Sequence, residues 1–381
     1  MIIGIICEYN PFHNGHLYHL KKIKEMYKDS TIILVMSGNF TERGDLSIID
    51  KWDKTEISLK YGVDIVIELP FIYASASADI FAYGAIKILS EMKVDVLVFG
   101  SELGNIDILN RLANIQVDNQ NYDDLVKDYI KKGINYPRAC GLALYDITGS
   151  NINTPNDILG LCYIKEILKQ KANIKPICIK RTNDYNDTNL NGKITSARSI
   201  RVALKDNKDI KEFIPDIVYK YINTRYLDDY YSFIKYRILT TDINNIVGMN
   251  NELNIRINKY IYKCDNLEEL INNIKSKNYS YNRIKRLMVH ILVNFTLDDM
   301  NNFKDYIRIL GFNNKGQIYL NKIKKDIKLP TITNYSNSKG LLDLDKKVNS
   351  VLYLNLPLNK QNKAIKSEHQ KKIKISIDNE D

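Results

Sequence analysis

His13 and His16 flank Gly15 in the run Cys7-Glu8-Tyr9-Asn10-Pro11-Phe12-His13-Asn14-Gly15-His16. Two imidazoles three positions apart, with a residue lacking Cβ between them, suit displacement at phosphorus. Ring N–H donors aimed at a phosphoryl group stabilise the charge that grows as its bond breaks. Gly15 lets an anion come close to the backbone. A helix beginning at this point would add unpaired N–H groups and a partial positive charge. The same histidines have two other possible uses. They can cap the helix, or they can join His19 as metal ligands, although no Cys pair stands at metal-binding spacing to support a zinc site.

Such chemistry needs a tight strand-to-helix turn, and the flanking sequence provides one. Ile2-Ile3-Gly4-Ile5-Ile6 is a short apolar run that reads as a fully buried parallel strand, and Pro11 stops its continuation. Leu17, Leu20, Ile23 and Tyr27 then fall at helical spacing. The histidines are thus expected at the carboxyl end of a first strand, where open α/β sheets place their ligands. Further strands are predicted at residues 31–36, 64–69, 95–99 and 175–179, alternating with helices at 49–61, 77–92 and 155–170 and with short helices between 105 and 150. That alternation predicts a Rossmann-like, doubly wound parallel sheet.

Other residues with chemical potential cluster at the predicted strand ends. Gly100-Ser101-Glu102 closes the fourth strand beside the first, at the switch point of the sheet. Ser196 reads as the cap of a short helix carrying Arg198 and Arg201, cations suited to a departing anion. Ser37-Gly38-Asn39 and Glu42-Arg43-Gly44 follow the second strand, and Arg43 can hold a carboxylate or phosphate. Asn156, just after Thr154-Pro155, opens a helix and has an amide able to donate and accept at a base edge. An exposed helix-start role suits it equally. Lys21 and Lys22 read as solvated.

After about Lys205 the pattern changes to successive helices with dense tyrosines, among them Tyr219, Tyr221, Tyr226, Tyr230, Tyr231, Tyr236, Tyr260 and Tyr262. Most are expected to pack helices, and a minority can stack on RNA bases. A strand or turn and then a basic helix are expected in 305–325. The reading divides the 381 residues into a first domain at 1–205, a mainly helical domain at 206–357 and a basic, mobile tail at 358–381. The formal net charge of +10 suits a polyanionic partner such as nucleic acid, although a sequence this rich in Asn, Ile, Lys and Tyr also reflects codon bias. No apolar run has the length of a membrane span, no signal peptide is evident, and five scattered cysteines fit a reduced, cytoplasmic setting.

The run from Glu8 to His16, with Met36-Ser37-Gly38-Asn39-Phe40 and Ile67-Glu68-Leu69-Pro70, closely resembles the tRNA(Met) cytidine acetate ligase family, within the HIGH-type nucleotidyltransferase superfamily. The resemblance is dense from Met1 to about Arg201 and fainter to about Ser336. It implies a nucleotidyltransferase-type sheet domain followed by a tRNA-binding helical domain. It implies ATP-dependent activation of acetate as acetyl-adenylate, then acetyl transfer to N4 of the wobble cytidine of elongator tRNA(Met). Mg²⁺ would arrive with ATP, held mainly by phosphates rather than by protein alone. His13 and His16 would be catalytic. The ATP site would comprise Cys7, Glu8, Tyr9, Asn10, Pro11, Phe12, His13, Asn14, Gly15, His16, His19, Gly100, Asn156, Arg181, Ser196 and Arg201. Ser37, Asn39 and Arg43 are candidates for acetate or phosphate. Ser196 and Arg201 match the superfamily's second motif, whereas Arg198 replaces an expected threonine and Glu42 a usual glutamine. The resemblance names no protein partner. A small-molecule adenylyltransferase of the same superfamily, needing no RNA, is the alternative.

Overall fold

The computed structural model describes residues 1–181 and 194–376. Its centre is one sheet of eight strands: β1 (Ile2–Cys7), β2 (Thr31–Ser37), β3 (Ile65–Leu69), β4 (Val96–Ser101), β5 (Lys175–Lys180), β6 (Ile307–Asn313), β7 (Thr331–Ile332) and β8 (Lys374–Ser376). The path is β5-β4-β1-β2-β3-β6-β7, with β8 also pairing with β6. The first five strands are mutually parallel. β1 lies between β2 and β4, so the order reverses there, and the crevice beyond β1 and β4 is the switch point.

The first strands form because both faces of the sheet are covered. Every residue of β2 is buried. Ile33 and Val35 point into a core shared with the helices Ala78–Glu91 and Pro155–Lys169. Ile32, Leu34 and Met36 point into another, with Leu20, Ile23, Trp52 and Ile200. The period-two alternation thus divides one apolar strand between two cores. All five predicted parallel strands are present.

The sheet does not end with the first domain. β6 pairs antiparallel with β3, with a bulge between Val66 and Ile67. The boundary expected near residue 205 therefore does not bound the sheet, because a strand from the helical region completes it. The tail expected to be mobile from residue 358 needs a similar correction. It carries the helix Leu358–Gln370 and the strand β8, and Glu368 is fully buried. Its composition is polar, but the carboxylate of Glu368 meets the Lys51 ammonium and accepts from the indole N–H of Trp52, so its charge is compensated. Residues 377–381 of that tail lie outside the described residues.

The helical region has its own core, in which Tyr230, Ile234, Leu253, Leu270 and Leu287 meet Phe40, Leu46 and Phe71 of the first region. The successive helices expected after residue 205 are present, and several are short. The stretch 243–262 is helical only over Asn251–Tyr260, where the side chain of Asn250 caps the start. The helix Tyr281–Val293 packs its apolar face in this core and turns Lys285 and Arg286 toward the end of β2. No helix among the described residues is long and apolar enough to cross a membrane.

Candidate functional site

The turn after β1 builds the site from local hydrogen bonds. Tyr9 takes a left-handed backbone conformation (φ 47°), and Asn10 pins the turn by accepting from the Ile48 N–H at 2.9 Å. The helix Asn14–Met26 begins at His13. Here the alternative of capping proves to be part of the arrangement. His13 Nδ1 accepts from the Gly15 N–H at 3.0 Å, and His16 Nδ1 accepts from the His13 N–H at 3.2 Å. A ring nitrogen that accepts carries no proton, so both imidazoles hold theirs on Nε2. The two rings lie 3.8 Å apart and both line one cleft of about 210 Å³. Tyr9 sets its ring edge-on to His16 at 4.6 Å.

The environment keeps these rings neutral. Burial, then Arg181 and Arg201, lowers the His13 pKa to about 3. Burial and His13 hold His16 well below the ordinary histidine value, and burial with Arg181 brings His19 down to about 4. A neutral imidazole with a fixed Nε2–H is a hydrogen-bond donor near neutral pH without being an acid. Gly15 is required for a reason beyond ligand access: a Cβ there would stand 2.8 Å from Cε1 of His13, displacing the capping ring.

The opposite wall comes from the far ends of β4 and β5 and from the helix Ala197–Lys205. Ser196 caps that helix through the Ser199 N–H at 3.1 Å. Arg201 donates to the Asn10 carbonyl at 2.6 Å, which joins the two helix starts. Arg181 leaves β5 beside Glu102, at 3.7 Å. Asn156 gives its amide N–H to Glu102. A Cβ on Gly100 would meet only ordinary contacts with Arg181, so the protein itself does not demand glycine there. Arg43, Arg181, Arg198 and Arg201 line the cleft with two helix N-termini, and the site suits a polyphosphate.

Of the expected residues, Cys7, Glu8, Tyr9, Asn10, His13, Gly15, His16, His19, Gly100, Asn156, Arg181, Ser196, Arg201 and Arg43 line this cleft. Pro11, Phe12, Asn14, Ser37 and Asn39 do not. Phe12 is buried in the core, and Asn14 donates to the Glu212 carbonyl at 2.8 Å. Ser37 stands behind the cleft, donating to Glu8 at 3.3 Å. Asn39 uses its amide on the Lys51 N–H and on Asn349. Glu42 also lines the cleft, and burial raises its pKa while Arg286 opposes the rise. Among the described residues, no group of three or more His, Cys, Asp or Glu is placed to hold a metal ion.

Two contributions escape sequence reading. Lys54 is fully buried and donates to the carbonyls of Glu8, Ser37 and Gly38 at 3.0, 2.8 and 2.7 Å, tying together the ends of β1 and β2. Its pKa is lowered to about 8 by burial. A signal existed: Lys51, Lys54, Thr55 and Ser58 make a polar stripe at helical spacing, and all four are buried. Lys285 and Arg286 reach the cleft's rim from the helical region, and nothing local in the sequence marks them.

The chain matches the family model described as HIGH Nucleotidyl Transferase over residues 1–368. A tRNA(Met) cytidine acetate ligase from Thermoanaerobacter sp. (strain X514) is 39% identical over 362 residues, covering 90% of each chain. One from Anoxybacillus flavithermus is 35% identical over 97% of this chain and 98% of its own. The fold is similar to the crystal structure of apo Thermotoga maritima TmcAL, with a TM-score of 0.90 and 30% identity over 99% of both chains. The crystal structure of the same T. maritima protein bound with alpha-thio ATP gives 0.89 at 29% identity, again over 99% of both chains. With the two capping histidines at the switch point and this likeness along nearly its whole length, the chain belongs to the HIGH nucleotidyltransferases and, among them, to the tRNA(Met) cytidine acetate ligase family.

Proposed function

We propose that this protein is an ATP-dependent ligase that adenylates acetate and transfers the acetyl group to N4 of the wobble cytidine of elongator tRNA(Met), in the cytoplasm. The observation that carries the reading is the pair of neutral imidazoles, each fixed by its Nδ1 and presenting Nε2–H to a cationic cleft at the switch point. MgATP enters as the substrate, its metal held chiefly by its own phosphates and waters. In the first step a carboxylate oxygen of acetate attacks the α-phosphorus, and the bond to the β-phosphate oxygen breaks to release pyrophosphate. His13 and His16 donate to the phosphoryl oxygens as charge builds there, while Arg181 and Arg201 hold the departing pyrophosphate. Arg43, with Ser37 and Asn39 shaping its loop from behind, faces the acid. In the second step the cytidine amine attacks the acyl carbon, AMP leaves, and N4 loses a proton. The helical region, with its exposed Tyr236 and Tyr262, is the platform we assign to the tRNA.

The test follows label from radioactive acetate into bulk unmodified tRNA, with MgATP and without ATP. The expected result is ATP-dependent label recovered in N4-acetylcytidine after digestion. Turnover of ATP to pyrophosphate with no label in tRNA would overturn the acetyl-transfer reading and favour a small-molecule adenylyltransferase.

A further inference from the structure

Arg201 has a competitor for its charge. Its Nη1 is held by the Asn10 carbonyl, while its Nη2 lies 3.9 Å from Oδ2 of Asp45. The other oxygen of that carboxylate, Oδ1, takes the ammonium of Lys285, from the helix Tyr281–Val293 of the helical region. Asp45 thus stands between two cations, one at the cleft and one outside it. All three side chains are about one-fifth to one-quarter exposed, so solvent screens them only in part.

The loop that carries Asp45 is fixed with little freedom. Its neck is closed by the Thr41 N–H on the Asp45 carbonyl at 3.0 Å and by the Asp45 N–H on the Thr41 hydroxyl at 3.0 Å. Gly44 has φ +74°, and a Cβ there would lie 2.5 Å from the Arg286 backbone nitrogen, so the loop rests directly on the helix. Arg286 donates to the Glu42 carbonyl at 2.9 Å and to its carboxylate at 3.2 Å. The backbone of this loop therefore has little freedom to carry Asp45 after Arg201 when that side chain moves toward a ligand.

We propose that Lys285 and Asp45 are positioning residues for Arg201: Asp45 holds the guanidinium in register before ATP binds, and Lys285 takes enough of that carboxylate's charge for Arg201 to turn to the phosphates. This rests on the reading that Arg201 meets the phosphates of ATP. Without Lys285, Asp45 keeps Arg201 for itself. Without both, Arg201 is again available. The helical region therefore acts on the adenylation step through one ammonium group, apart from any contact with RNA.

The experiment is a titration of the full-length protein with MgATP, with folding followed by thermal melting. Lys285→Met, which keeps the aliphatic stem, is expected to weaken ATP binding about tenfold, the size of coupling typical of neighbouring charges. The double variant with Asp45→Asn is expected to recover to within about threefold of the unaltered protein, and Lys285→Arg to bind normally. Lys285→Gln repeats the measurement if the Met variant does not fold. Losses that simply add in the double variant, or no loss in a folded Lys285→Met or Lys285→Gln variant while Arg201→Ala weakens binding, would overturn the relay alone. Unchanged binding in Arg201→Ala would overturn the phosphate role of Arg201, and the relay with it.

Discussion

Two regions of this molecule gather buried polar groups beside the same sheet, and they differ in where those groups point. In the turn at 9–16, each histidine is fixed by a hydrogen bond to backbone within three residues and faces a cleft. Beneath it, Lys51 meets Glu68 at 3.0 Å and Glu368 at 3.3 Å, with all three side chains essentially removed from water. Trp52 gives its indole N–H to Glu368 at 2.9 Å, across 316 positions of sequence. Arg308 stacks 4.5 Å from the Tyr335 ring centroid in the same layer. The first region satisfies half of each polar side chain and presents the other half outward. The second pairs Lys51 with two carboxylates inside the fold, and in doing so ties the helix Leu358–Gln370 to the sheet. Buried polarity alone does not mark a site. Polarity fixed on one side and open on the other does.

That contrast can be broken by removing one group from each region. Lys51→Met leaves Glu68 and Glu368 buried without their cation, and is expected to cost about 3–5 kcal/mol of stability. Urea unfolding measures the loss, and adenylation per folded molecule should be preserved. A variant of normal stability but impaired turnover would place Lys51 with the site instead. His16→Ala should show the opposite pattern. Its expected loss is about 10²–10³-fold in adenylation rate, the range for removing one preorganised donor. Its stability cost is about 1 kcal/mol, because the ring also accepts from the His13 N–H. Pyrophosphate release at saturating ATP reads the first and thermal melting the second; equal ATP turnover in this variant would remove the central functional claim.

Acid sharpens the comparison at a smaller scale. His13 is 3% exposed and its pKa is lowered from 6.5 to about 3, chiefly by burial. Below pH 6.5 the unfolded chain takes up a proton there that the folded chain refuses until about pH 3, so stability falls as pH drops through that window and is unaffected above it. Between pH 6.5 and 5 one such ring accounts for roughly 2 kcal/mol. His13→Gln, which cannot titrate, should lose that much less stability over the same interval. Urea midpoints at the two pH values provide the test, and an unchanged acid loss would mean that His13 is not held neutral by the fold.

The legibility of each region follows from how far apart its residues lie. The turn was readable because a strand, a proline, a glycine and two histidines are consecutive, and because local hydrogen bonds alone orient the rings. The pairing of β4 with β1, and the placing of Gly100 at the switch point, followed from strand–helix alternation, whereas Arg201 was marked by its family motif. By contrast, Asn39 read as a ligand from its place after β2, yet its amide joins Lys51 to Asn349. The tail read as mobile from its Lys, Gln and Asn content. One buried carboxylate and a three-residue strand paired with β6 seat it, and composition averages away so few residues. Lys54 drew no reading from the sequence, because the three carbonyls that surround its ammonium come from the ends of β1 and β2.

The sequence by itself determined the first five strands, the turn that fixes two imidazoles and the basic character of the cleft, because each depends on neighbours along the chain or on a period of two or 3.6 residues. Only the tertiary structure decided that β6 completes the sheet, that Glu368 closes on Lys51, and that Lys285 and Arg286 reach the rim of the cleft. Those contacts join residues more than 200 positions apart. They form because a buried charge or a strand edge must find a partner, and the chain supplies one wherever packing brings it near.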